Sequence, residues 1–120
     1  MENEYTEVNG TKTWYQNGQL HRLDGPAIEQ SNGTKSWFQN GQRHRVDGPA
    51  IEYPDGSKEW WQNDQLHRVD GPAVEHTDGH REWFVYGKDI TREVESWIKQ
   101  QRFSLPLNES ELTLFVLQFV

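Results

Sequence analysis

The chain has 120 residues, 32% of them apolar, a net charge of −7 and a mean hydropathy of −1.02, yet it carries six Trp, five Phe and four Tyr. That length accommodates one domain and excludes two, the aromatics exclude disorder, and the lack of Cys excludes a disulfide framework and thiol chemistry. Residues 10–87 hold eleven acids and eight bases, so no basic stripe is present and direct binding of nucleic acid is argued against; no apolar run approaches membrane-spanning length.

The N-terminal residues Met1-Glu2-Asn3-Glu4 lack the basic and apolar regions of a signal peptide, so a cytoplasmic protein is expected. Tyr5 and Asn9-Gly10 match the end of a unit that then recurs every 23 residues. Copies begin at Gly10, Gly33 and Gly56, with a partial one at Gly79. Trp14, Trp37, Trp60 and Trp83 keep this spacing, as do His21, His44 and His67 and the Asp-Gly-Pro-Ala tetrads at Asp24, Asp47 and Asp70. Such self-similarity is the signature of a repeat architecture.

Within a unit, the alternating, Thr- and aromatic-rich segment Thr11–Gln16 reads as a strand. Asn17-Gly18 supplies the two positive φ angles of a type I′ hairpin turn, as does Asn40-Gly41; the third copy has Asn63-Asp64, where Asp tolerates that region less well. Residues 19–23 form a short return. Asp24-Gly25-Pro26 is a second turn signal, residues 27–30 a second strand, and Asn32-Gly33, Asp55-Gly56 and Asp78-Gly79 close the units. Alternation puts Trp14 and Tyr15 on opposite faces of the sheet, giving each face an aromatic row. One hairpin cannot bury its apolar face alone, whereas stacked copies bury one another's.

The string N-G-x-x-H-x-x-D-G-P-A, between an aromatic strand and a closing D-G or N-G, resembles the MORN repeat. The resemblance covers residues 5–87 and implies a hairpin sheet with a scaffolding or interaction role. Arg22, Arg45 and Arg68 stand where that family has Gly after His, and the D-G-P-A tetrad is particular to this chain. In these departures the array looks more like the divergent MORN-like arrays encoded by tailed bacteriophages and some bacteria.

After Gly87 the period changes. Ile90, Val94, Trp97 and Ile98 follow the spacing of an amphipathic helix, with Thr91 as its N-cap and Glu93 and Glu95 in its first turns. Residues 104–106 break it. Asn108 and Glu111 form a capping-box pair that starts a second helix, with Leu107 and Leu112 at staple positions. The apolar tail, residues 114–120, reads as a buried strand or, by the spacing of Leu112, Phe115, Val116 and Phe119, as helix. The expected fold is mainly β, an antiparallel hairpin-repeat meander in a single twisted sheet. Residues 1–87 form the array, and residues 88–120 form a C-terminal helical cap that protects its last edge.

The three ladder histidines read as structural, each bonded to an Asp or to backbone; the alternative is a metal-binding ladder. His76 and His80 fall off the ladder and are expected to be exposed. Arg22, Arg45 and Arg68 are expected to pair with Glu29, Glu52 and Glu75 or with the turn aspartates. The Trp14 row reads as core. Positions that vary between copies read as contact surface: Tyr15, Phe38, Trp61 and Phe84, with Leu20, Arg43 and Leu66. No nucleophile with a base and no phosphate loop is discernible, so neither an enzyme nor a cofactor is expected. The function expected is a non-catalytic protein–protein interaction module, and the phage-like resemblance implies a host defence or regulatory protein as partner. The alternatives are a binder of metal, sugar or nucleotide and a homo-oligomer pairing through strand edges or tails. No membrane association is expected.

Overall fold

Strand formation starts where the sequence alternates. A computed structural model describes residues 3–120; the first two residues of the expected array lie outside the described ones. Strands β1 (Asn3–Val8) and β2 (Thr11–Gln16) pair antiparallel across Asn9-Gly10, both at positive φ (52° and 81°). Asn-Gly meets that demand at little steric cost. From β2 the main sheet continues through the two-residue strands Ile28–Glu29, Lys35–Ser36, Ile51–Glu52, Lys58–Glu59, Val74–Glu75 and Arg81–Glu82, each antiparallel to the last. With Gln19–Leu20 on β2, the sheet has nine strands among the described residues.

The molecule is thus mainly β, an antiparallel meander, as its sequence implies. The single sheet expected is the main sheet, and three two-stranded ribbons branch from it: Phe38–Gln39 with Gln42–Arg43, Trp61–Gln62 with Gln65–Leu66, and Phe84–Val85 with Lys88–Asp89. The branch point is the Trp of each unit. Trp37 N–H donates to the Ala50 carbonyl at 2.7 Å, in the direction of the main sheet, while its own carbonyl accepts from His44 N–H at 3.0 Å, inside the hairpin. The same two bonds recur at Trp14 and Trp60. Regular strand therefore stops for one residue at Trp37, Trp60 and Trp83, although it runs on through Trp14.

Across the sheet, Glu7, Lys12, Glu29, Lys35, Glu52, Lys58, Glu75 and Arg81 stand in register, alternating in sign. Opposite charges directly opposed contribute roughly 0.2–1 kcal/mol per pair, and a slipped register loses them. The core beneath is thin. Ala27, Ala50 and Ala73, whose carbonyls accept the Trp N–H groups, are completely buried.

The last unit is finished by helices. α1 (Thr91–Gln101) and α2 (Glu109–Phe119) close over Trp83, Val85, Ile90, Val94 and Phe115, with Trp97, Ile98, Leu105, Leu107 and Phe119 packed around them. The Asn108–Glu111 capping box forms in both directions. One open reading is decided here and one expectation is corrected. Of the strand and the helix open to residues 114–120, the helix forms: α2 runs to Phe119, started by its capping box and with Phe115 buried in one core with Trp83. Thr91 is not the N-cap of α1. Ile90 holds that place without a side-chain cap bond, and the Thr91 hydroxyl is used elsewhere. It accepts the Trp83 N–H at 2.9 Å, taking the part that an Ala carbonyl plays in the earlier units, and donates to Asp89 at 2.6 Å. No helix among the described residues is long and apolar enough to cross a membrane. The radius of gyration is 16.4 Å and the extents are 51 × 29 × 21 Å. A compact chain of this length would have a radius near 13–14 Å, so the stack is elongated.

Candidate functional site

The segment His-Arg-x-Asp-Gly-Pro-Ala, the part of the unit least like a regular strand, builds one structure three times. The Arg22 guanidinium lies over the Trp14 ring, with Cζ 3.8 Å from the centroid; Arg45 over Trp37 and Arg68 over Trp60 repeat this at 4.0 and 3.7 Å. Its donors are then taken in order along the chain. Arg45 Nε donates to Asp47 Oδ1 at 3.0 Å, and its terminal nitrogen donates to the Pro49 carbonyl at 3.0 Å and to Glu52 Oε2 at 3.2 Å. Arg22 and Arg68 make the same three bonds. The expected pairing with Glu29, Glu52 and Glu75 and the pairing with the turn aspartates therefore occur together. The planar fork explains why Arg, not Lys, stands here. The tetrad's Gly is explained too: a Cβ on Gly71 would fall 2.8 Å from the Arg68 Cζ.

The Trp row is not core throughout. Trp14, Trp37 and Trp60 are half-buried under arginine, and only Trp83, covered by α1, α2 and Leu105, is fully enclosed. No Arg follows Trp83 at the corresponding place; Thr91 stands there.

The ladder histidines clasp successive units together. Nδ1 of His21 accepts the Asn40 N–H at 3.0 Å, His44 that of Asn63 at 3.0 Å, and His67 that of Tyr86 at 2.8 Å. The bond goes to backbone of the next hairpin turn, not to the Asp three residues on. One ring nitrogen of each ladder histidine is thereby committed. At the third step Tyr86 replaces Asn, at φ 50°, and its ring stacks on His67 with centroids 4.1 Å apart. Burial under it pushes the His67 pKa down.

The seven residues singled out as contact surface come together in the hairpins. Tyr15 stands opposite Leu20, Phe38 opposite Arg43, and Trp61 opposite Leu66, while Phe84 faces Asp89. All seven are half-buried. Arg43 reaches into the next unit, its Cζ 3.6 Å from the Trp61 ring centroid and its Nε 2.6 Å from Asp64 Oδ1. This pairing, with the accepted hydrogen bonds, holds the Asp64 carboxyl below its ordinary range. The other side of the cluster is closed by Glu59, which accepts from Trp61 Nε1 at 2.8 Å and from the Tyr53 hydroxyl at 3.0 Å. Burial and that carboxylate push the Tyr53 pKa up to about 12.

The most exposed repeated apolar position is one that sequence reasoning passed over. Leu23, Val46 and Val69 are 77%, 73% and 37% exposed. Each sits between the Arg that stacks on Trp and the Asp it bonds, a clamp within each unit, on a segment that has left the sheet, so no sheet face receives its side chain. Open clefts of about 570, 460 and 320 Å³ follow one another along this edge, floored by Trp14, Trp37 and Trp60 in turn and rimmed by Leu23, Val46 and Val69. A three-residue group with metal-ligand chemistry, His76, His80 and Glu82, lies apart from this edge, at the last closing turn. No protein-family model, curated protein or solved structure matches the chain.

Proposed function

We propose that the array is a non-catalytic protein-binding module that holds its partner along the edge made by residues 21–25, 44–48 and 67–71. The exposed row Leu23, Val46 and Val69 carries this reading. Two strand spacings separate units, so these side chains recur about every 10 Å. The clefts between them have a Trp floor and an Arg wall, residue types enriched in interface hot spots. Asp24, Asp47 and Asp70, all strongly exposed, line the same edge. With a net charge of −7 they favour a partner that carries basic residues between apolar ones. The half-buried hairpin row from Tyr15 to Phe84 is a secondary contact surface in this reading. The resemblance to phage MORN-like arrays supports a host defence or regulatory protein as the partner.

The test is affinity purification from a host lysate with the wild-type chain and with a Leu23→Ser/Val46→Ser/Val69→Ser variant of equal thermal stability. One stoichiometric protein should be recovered by wild type, weakened by salt and absent with the variant. Recovery of no such protein, or equal recovery by both chains, sinks the proposal.

A further inference from the structure

The closing turns of the units share a backbone but not their side chains. In the third, His76 N–H donates to the His80 carbonyl at 2.9 Å, Gly79 N–H donates to the His76 carbonyl at 3.0 Å, and Asp78 Oδ1 accepts the His80 N–H at 2.9 Å. The same turn forms in the first unit with Gln30 and Thr34 and in the second with Tyr53 and Ser57. Histidine is therefore not needed to build it. The reading that repeated residues serve the repeat itself does not cover His76 and His80, which occur in one copy only.

The two imidazoles flank the turn side by side, with centroids 5.3 Å apart, and both are exposed. Glu82 lies two residues beyond His80, on the same face of the strand. His80 Nε2 is 3.4 Å from Glu82 Oε1, and one ligand atom from each of the three residues falls within 4.8 Å of the others. The first unit has Ser36 in place of Glu82, so the complete trio is found at this turn alone.

We propose that His76, His80 and Glu82 form a binding site for a late first-row divalent cation, Zn²⁺ being the reference ion, with a fourth position open to water or to a donor from a bound partner. Two imidazoles and a carboxylate form a recognised three-ligand zinc set, and bond lengths of 2.0–2.1 Å place ligand atoms about 3.3 Å apart in a tetrahedron. The His80–Glu82 pair already has that separation. The exposed His76 ring completes the set by a side-chain rotation that disturbs no hydrogen bond, since the turn is closed by backbone and by Asp78. Asp55, on the preceding turn, is close enough to His76 for their charges to interact. The same chemistry would accept Ni²⁺ or Cu²⁺, ordered by intrinsic affinity. This site is independent of the protein-binding edge.

The test is calorimetric titration of ZnCl₂ into the untagged, chelator-treated full chain. One ion per chain is expected, with affinity reduced about tenfold or more in His76→Gln and in His80→Thr, changes that install the first unit's own residues. A parallel NMR titration of the imidazoles should shift His76 and His80 while leaving His21, His44 and His67 in place, which keeps the question decidable even if a variant misfolds. Absence of binding, binding that survives both substitutions, or shifts confined to the ladder histidines would overturn the proposal.

Discussion

The guanidinium carbon of Arg68 sits 3.7 Å from the centroid of the Trp60 ring, and the same guanidinium bonds Asp70, the Pro72 carbonyl and Glu75. One side chain thus ties a strand, a turn and the following strand of a unit together. A lysine keeps the charge but offers a single ammonium, which cannot stack flat on the indole and reach three acceptors. Arg68→Lys is therefore expected to lower stability by about 1–2 kcal/mol. Urea unfolding measures it; an unchanged midpoint would mean that the clamp adds nothing to stability.

The close approach of Gly71 to that guanidinium allows a sharper test. Adding a methyl group at Gly71 pushes on the end of Arg68, not on backbone. Its effect should run through the clamp. Gly71→Ala is expected to cost about 1 kcal/mol in wild type and much less in an Arg68→Met background, a coupling that a double-mutant cycle isolates. Equal costs in both backgrounds would place the strain elsewhere.

His67 introduces a pH dependence. Its Nδ1 accepts the Tyr86 N–H, and burial lowers its pKa. The unfolded chain, with a histidine pKa of roughly 6.5, then binds more protons than the folded one just below that pH. Stability is fully present above about pH 6.5 and falls as the pH drops through the lowered folded-state value. His67→Asn keeps an acceptor but cannot ionise, so its melting temperature should change less between pH 7.5 and 5.5 than that of wild type. Tyr86→Asn, the residue found at Asn40 and Asn63, uncovers the ring and should also flatten the dependence. Parallel pH profiles for all three chains would remove His67 as the cause.

What could be read from the sequence was local or periodic. Asn17-Gly18 and its copies, the 23-residue spacing and the Asn108–Glu111 box each depend on residues a few positions apart, and each formed as expected. What escaped depends on contacts across the fold. Thr91 looked like a cap, but its hydroxyl is claimed by the Trp83 amide eight residues back. Tyr86 takes the left-handed turn position that Asn holds in the other units, and its ring stacks on His67, a residue 19 positions away. Leu23, Val46 and Val69 drew no reading from the sequence, because their exposure follows from where the chain leaves the sheet. His76 and His80 became neighbours only once their turn was seen to close.

The two conformations open to the tail predict different mutational patterns. In a strand, residues 115 and 117 would share a face, so both would be buried or both exposed. In α2 they fall on opposing sides: Phe115 is enclosed by the Trp83 and Val94 core, and Leu117 is largely exposed. Phe115→Ala is expected to cost about 3–5 kcal/mol, the range for emptying a packed aromatic site. Leu117→Ala should stay within about 0.5 kcal/mol of wild type, as a surface change does. Urea denaturation followed by tryptophan fluorescence gives both numbers. A large loss at Leu117 would show that this face is covered in solution, by a second copy of the chain if the loss depends on protein concentration. Equal small losses at both positions would show that the cap does not close on Trp83.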